Sequence, residues 1–221
     1  MRSFLEWSET VGMINLADYY QGKITGFKTE EIAQALLGCL LVNESENGRT
    51  SGVIVETEAY LGVIDEAAHS YNGRNTKRIQ AMFERAGSLY VHQMHRQVLV
   101  NIVTQEVGEP QGVLIRAIEP HEGLPLMEMR RKKVGRELTN GPGKLSQALG
   151  ITMTYNLEHI QHSKLSLDLS HRKRPEKILR SGRIGIKNKG IWTEKPLRYY
   201  VKGNPYVSKF RGEVSENYGW Q

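Results

Sequence analysis

Cysteine is almost missing from this chain: Cys39 is the only one. An internal disulfide is therefore excluded, and a reducing compartment is the natural setting. Cys39 lies in an apolar run and reads as core rather than as a nucleophile. Long hydrophobic runs are missing too. The longest, residues 35–42, contains Gly38 and falls well short of the roughly 20 apolar residues that span a bilayer. The first residues lack the apolar segment of a secretion signal, so an intracellular protein, cytoplasmic or nucleoid-associated, with no membrane partner is expected. No repeat, low-complexity stretch or linker divides the 221 residues, a length that suits one sizeable domain. Acidic charge is in deficit. Lys and Arg number 30 against 24 Asp and Glu, giving a net +6 and a pI of about 9.3. Such a balance fits a polyanionic partner without requiring one.

Metal-ligand sets are also scarce. His92 and His95 are three apart and fall on opposite faces of a strand, so they cannot share one ion. His159 and His162 can share a helix face but have no third ligand nearby in sequence. No metal is expected.

What is present centres on residues 53–61, Val-Ile-Val-Glu-Thr-Glu-Ala-Tyr-Leu. As a strand, it places Val53, Val55, Thr57, Ala59 and Leu61 on one face. Ile54, Glu56, Glu58 and Tyr60 take the other. Two carboxylates on one strand face are costly if buried unpaired. Either the strand end reaches solvent, or the carboxylates belong to a site. Residues 112–119 read as another strand, with Arg116 flanked by Leu114 and Ile118 on its face. An arginine placed so needs an acceptor: an internal salt bridge, or a site facing Glu58.

The rest of the pattern is mixed. Residues 29–37 read as a helix capped by Thr29 and ended by Gly38. A strand at 40–42, a turn at 44–50 and the Glu58 strand make a hairpin. Residues 62–76 form a loop that holds His69. Strands at 89–94 and 98–103 flank a tight turn, His95–Arg96–Gln97, with no Gly or Asn at its tip, which is unusual for a two-residue turn. Helices follow at 123–134 and 141–149. The first ends in Arg130, Arg131, Lys132 and Lys133, either a solvated face or a phosphate contact; the second opens at Gly141-Pro142-Gly143-Lys144. Residues 154–177 look polar and irregular. A turn and short strand are expected at 181–186, a further strand at 198–202, and a polar stretch at 203–221.

Several of these segments together resemble the alkyladenine (3-methyladenine) DNA glycosylase family. They are Glu-Thr-Glu-Ala-Tyr-Leu-Gly at 56–62, Asp-Glu-Ala-Ala-His-Ser at 65–70, and Leu-Ile-Arg-Ala-Ile-Glu-Pro at 114–120. Asn-Gly-Pro-Gly-Lys-Leu at 140–145, Arg-Ile-Gly-Ile at 183–186, and Pro-Leu-Arg-Tyr-Tyr-Val-Lys-Gly-Asn-Pro-Tyr-Val-Ser at 196–208 complete the set. Their order along the chain makes the resemblance specific.

The resemblance implies a single mixed α/β (α+β) domain over 18–209: a curved, mostly antiparallel sheet, flanking helices and a protruding β-hairpin. Residues 1–17 are left as an unassigned extension and 210–221 as a polar C-terminal tail. It implies a monofunctional DNA glycosylase that needs no cofactor, acting as a monomer on double-stranded DNA that contains damaged purines. The nucleotide is flipped out and its N-glycosidic bond hydrolysed, leaving an abasic site. By the same resemblance Glu58 is the general base, and Arg116 and the Ile184 main-chain carbonyl hold the water. Tyr60 stacks on one face of the base and His69 on the other. The Ile184 side chain lines the pocket, and Asn101 excludes guanine. Lys144 and Arg183 are taken as phosphate contacts. Two positions depart from the family pattern. His92 stands where many members have tyrosine, and His95, beside Met94, takes the place of the tyrosine that wedges into the DNA. The alternatives are a catalytically weak lesion-binding protein on the same fold, and a hydrolase of free nucleosides.

Overall fold

The computed structural model describes residues 14–221. One long strand, β2 (Gly48–Tyr60), organises the sheet. Along one edge it pairs with β5 (Gly112–Glu122). Its other edge is shared: β1 (Leu40–Ser45) covers the first half, and β8 (Arg198–Val201) takes Glu56, Thr57 and Glu58. The sheet order is β3 (Leu89–Met94), β4 (Gln97–Val103), β5, β2, β1 and β6 (Leu165–Asp168), with β7 (Ile178–Ser181) joined through β8, and every pairing is antiparallel. The register shifts between Ile54 and Glu56, which leaves Val55 of β2 unpaired with β5 in a bulge, and shifts back between Glu56 and Thr57, which leaves Arg116 of β5 unpaired. Such a bulge sharpens twist and re-aims the residues beyond it, here the segment bearing Glu56, Glu58 and Tyr60.

One face of the sheet carries the main core. Val53, Ile115, Ala117, Val91 and Ile102 pack there with Leu36, Leu37, Leu145 and Leu149. Helix α2 (Thr29–Ala35) lies behind β2 and accepts a hydrogen bond at Ala33 from the Thr57 hydroxyl, 2.8 Å away. Thr29 is inside this helix rather than capping it. Its hydroxyl meets Thr104 and Gln111, and the first turn is closed by Glu31 accepting from the Lys28 N–H. Gly38 is required after the helix: its φ is +86°, and an added Cβ would lie 1.9 Å from the Lys173 carbonyl oxygen.

Several expected boundaries move. The turn at 44–50 shrinks, because β1 and β2 run on to Ser45 and Gly48. The helix at 123–134 stops at Arg131 as α3 (Leu124–Arg131), ended by Lys132 in the left-handed region. Helix α4 is Pro142–Leu149. The irregular stretch 154–177 contains β6 (Leu165–Asp168), which pairs with β1. The short strand expected at 181–186 lies earlier, as β7. The described residues at both ends pack onto the domain. Ile14 and Leu16 join the core beside helix α1 (Leu16–Tyr20). The C-terminal stretch packs back instead of trailing away: Trp220 is buried and its indole N–H donates to Glu119, 2.7 Å away. Residues 1–13, most of the unassigned extension, lie outside the described residues.

Candidate active site

The opposite face of the sheet mixes apolar residues with the polar groups of the site. Across it, paired residues form a row: Tyr90 of β3 (Leu89–Met94), Asn101 of β4 (Gln97–Val103), Leu114 of β5, Glu58 of β2 and Arg198 of β8. Residues paired across strands project to the same face, and neighbouring strands lie about 4.8 Å apart. Glu58 and Asn101 are therefore within about 10 Å of each other along the sheet.

Both carboxylates are completely buried. Glu56 accepts from Arg116 Nε at 3.0 Å, Arg198 Nε at 2.6 Å and the Ser208 N–H at 2.6 Å. Glu58 accepts from the Ile184 N–H at 2.7 Å and meets Arg116 Nη1 at 3.2 Å, both at Oε1. Its Oε2 receives the Tyr60 hydroxyl at 2.9 Å. Arg116 thus bridges the two acids, satisfying the internal salt bridge and the approach to Glu58 together. Burial pushes the Glu58 carboxyl above its ordinary range; Arg116 and the Ile184 N–H oppose this, and Glu56 adds to it. Burial also works against the Arg116 charge, but Glu58 and Glu56 outweigh it and hold the guanidinium protonated.

Tyr60 has a guanidinium over its ring: Arg183 lies 4.6 Å from the centroid. Arg183 is itself buried, bidentate on Asp65 at 2.6 and 2.8 Å, and donates to the Ala59 carbonyl. Asp65 also accepts from the Leu61 and Ala67 N–H groups. This knot fixes the start of the loop that carries His69. His69 is exposed, with Nδ1 2.8 Å from the Tyr90 hydroxyl. His92 is buried, stacked on Tyr90 at 4.7 Å and edge-on to His69 at 5.0 Å. Burial, then His69 and Arg78, push its imidazole down to about 3. Asn101 donates to the Tyr90 carbonyl at 3.1 Å and lies 3.4 Å from His92 Nδ1.

Residues 23–205 match the sequence model of the methylpurine-DNA glycosylase (MPG) family. The chain belongs to that family. A Staphylococcus epidermidis protein named "Putative 3-methyladenine DNA glycosylase" is 48% identical over 190 residues, covering 86% of this chain and 93% of its own. Proteins of the same name from Staphylococcus haemolyticus and Enterococcus faecalis are each 52% identical, over 83% and 87% of this chain and 91% and 86% of theirs. Family membership makes the chain a DNA glycosylase, a protein that acts on DNA.

Within this glycosylase frame, the hairpin carries an exposed tip. The turn is two residues, His95 and Arg96, with φ of 47° and 66°; Gln97 already belongs to β4. Met94 and His95 are exposed there. Two supports hold the hairpin: Arg78 donates to the Gln93 carbonyl at 2.6 Å, and Gln97 packs where a Cβ on Gly143 would lie, 2.3 Å away.

The expected phosphate contacts fare differently. Arg183 is not available to a phosphate, because it is buried and spent on Asp65, Ala59 and the Tyr60 ring. Lys144 is bound to Glu137 at 2.6 Å and Asn140 at 2.8 Å. In the basic run, Arg130 and Arg131 donate to internal carbonyls at Ala148, Leu138 and Glu137, while Lys132 and Lys133 are exposed. Ile184 reaches Glu58 through its main-chain N–H, a contact separate from the one expected of its carbonyl with the water. Sequence reasoning gave no role to Tyr90, Arg78 or Arg198. Tyr90 had a signal, two residues before His92 on the same strand face. Arg78 and Arg198 had none. Among the described residues no group of His, Cys, Asp and Glu is placed to hold a metal, and no helix is long and apolar enough to cross a membrane.

Proposed function

We propose that the protein excises damaged purines from duplex DNA by hydrolysing the N-glycosidic bond, with Glu58 as the general base. The observation that carries this is the different engagement of two equally buried acids. Glu56 is tied down by two guanidiniums and a main-chain N–H. Glu58 Oε2 meets only a rotatable hydroxyl, which leaves it a lone pair for water. Its raised pKa makes it a stronger base than an ordinary carboxylate, and its charge offsets the oxocarbenium character that builds on the sugar.

In the reaction the water oxygen bonds to C1′ of the flipped nucleotide as the C1′–N bond breaks. The bonding electrons leave with the purine, and Glu58 takes the water proton. Arg116 orients and neutralises the carboxylate. A cationic alkylated purine departs as a neutral base, whereas hypoxanthine needs a proton to leave well. Arg183 occupies one face of Tyr60, so the base stacks on the other, and His69 and the Ile184 side chain close around it. Asn101 acts against guanine, and Met94 and His95 enter the gap left by the flipped nucleotide. The protein works alone, as a monomer, without a cofactor.

The test is single-turnover excision from duplex DNA carrying 3-methyladenine, 7-methylguanine or hypoxanthine, with wild type beside Glu58→Gln. Base release by wild type alone is expected. Tight lesion binding by both proteins with release by neither would replace this reading with a lesion-binding protein that does not turn over.

A further inference from the structure

We propose that His92 sets the substrate class of this site: its Nε2–H, fixed by Asn101, is a hydrogen-bond donor that favours neutral purine lesions bearing a carbonyl or ring-nitrogen acceptor over cationic alkylated ones. The inference rests on the glycosylase reading above and deepens it.

The proton assignment follows from one carbonyl. Asn101 places its amide nitrogen 3.1 Å from the Tyr90 main-chain oxygen, which can only accept. That fixes which end of the amide is nitrogen. The second amide hydrogen then meets His92 Nδ1 at 3.4 Å. An amide nitrogen offers no lone pair, so Nδ1 is the acceptor and the ring proton sits on Nε2. Stacking on Tyr90 at 4.7 Å and 16°, with His69 edge-on at 5.0 Å, fixes the ring itself. Nε2 has no hydrogen-bond partner among the described residues, yet it is not sealed in the interior. His92 lies two residues from Tyr90 and so on the sheet face that carries Asn101 and Glu58, which places this free donor beside the site.

The ring stays uncharged around neutral pH for reasons visible in its neighbours. His69 from the 62–76 loop, Arg78 from the turn segment 77–83, Tyr90 on its own strand and Asn101 on β4 face it. None carries a negative charge there, and Arg78, with Arg74 acting on His69, opposes a further positive one. A neutral donor presents the positive end of its dipole. It donates to an acceptor on a neutral base such as hypoxanthine, and donates less favourably to 7-methylguanine, whose positive charge weakens its acceptors and repels the donor. Sites that read a polar group through a buried partner discriminate far more strongly than apolar ones.

His92→Phe keeps a flat ring and removes the donor. In single-turnover excision from duplex DNA, the ratio of hypoxanthine to 7-methylguanine release is expected to fall on the order of tenfold. An unchanged or raised ratio would overturn the proposal while leaving the glycosylase reading intact. Wild type releasing neither base would sink both. A second measurement does not depend on the variant's activity. A long-range ¹H–¹⁵N spectrum of wild type at pH 7, with His92 assigned by the peaks lost in His92→Gln, should show the Nε2–H tautomer. The Nδ1–H tautomer or an imidazolium would overturn the assignment.

Discussion

Glu56 and Glu58 share residue type, strand face and burial, so their roles are separated only by partners. Glu58→Gln is expected to cut excision by about 10²–10⁴-fold with lesion binding kept, the range of general-base catalysis. Single-turnover rates beside a binding isotherm check it; loss of binding as well would point to a folding defect. Excision by wild type should rise with pH through the raised Glu58 pKa, since only the carboxylate accepts a proton. Arg116→Ala should cost more than activity. It removes a cation from between two buried acids, a change worth about 3–5 kcal/mol, and denaturant unfolding would read it. His92 makes a separate prediction. Its folded pKa of about 3 lies below an unfolded value of about 6.5. The folded state therefore binds fewer protons in that window, so the His92 contribution to stability is full above the window and is lost as pH falls through it. Unfolding at a series of pH values should show wild type losing more stability than His92→Phe between about 6.5 and 3.

At the scale of elements, the hairpin tip works against its own backbone. His95 and Arg96 are both left-handed, a conformation that costs non-glycine residues about 1–2 kcal/mol each and that Asn-Gly adopts readily. Replacing the pair by Asn-Gly should raise the melting temperature while weakening excision from duplex DNA more than from single strands. Equal losses on both substrates would remove the wedge role. Which elements were legible depends on the same physics. β2, β3, β4 and β5 were readable because two-residue alternation marks them directly. The bulge at Val55 was not, because it exists only in the register with β5. β6 was passed over although Leu165, Leu167 and Leu169 alternate, because its charged and polar surroundings dominate the composition. In the site, Glu58, Tyr60 and Arg116 stood out as polar groups on apolar strands. The true role of Arg183 was hidden, because its partner Asp65 is 118 positions away.

At the scale of the whole molecule, the same long separations decide what holds the site together. Glu119 lies at the far end of the strand that carries Arg116, and it gathers three distant donors: Lys173 Nζ at 2.7 Å, Asn204 Nδ2 at 2.7 Å and the Trp220 indole N–H at 2.7 Å. Asn204 also donates to the Tyr218 carbonyl, and Pro175 pairs with Trp220. The polar composition of the last residues conceals this, since Gly219 and Trp220 are the ones among 210–221 that are buried. The chain just before them supplies Ser208, whose N–H holds Glu56, and Arg198, which reaches the Ser208 carbonyl. Closing the C-terminus onto Glu119 therefore steadies the frame behind the catalytic acids from a distance. Trp220→Ala should destabilise the domain by about 3–5 kcal/mol through lost packing and leave Glu119 short of a donor. Thermal unfolding would register the loss. Excision at a temperature where the variant is still folded should fall far less than in Arg116→Ala, because Trp220 touches no group that holds Glu58. A fall as large as that of Arg116→Ala would mean that the C-terminal segment reaches the chemistry by a route other than the frame.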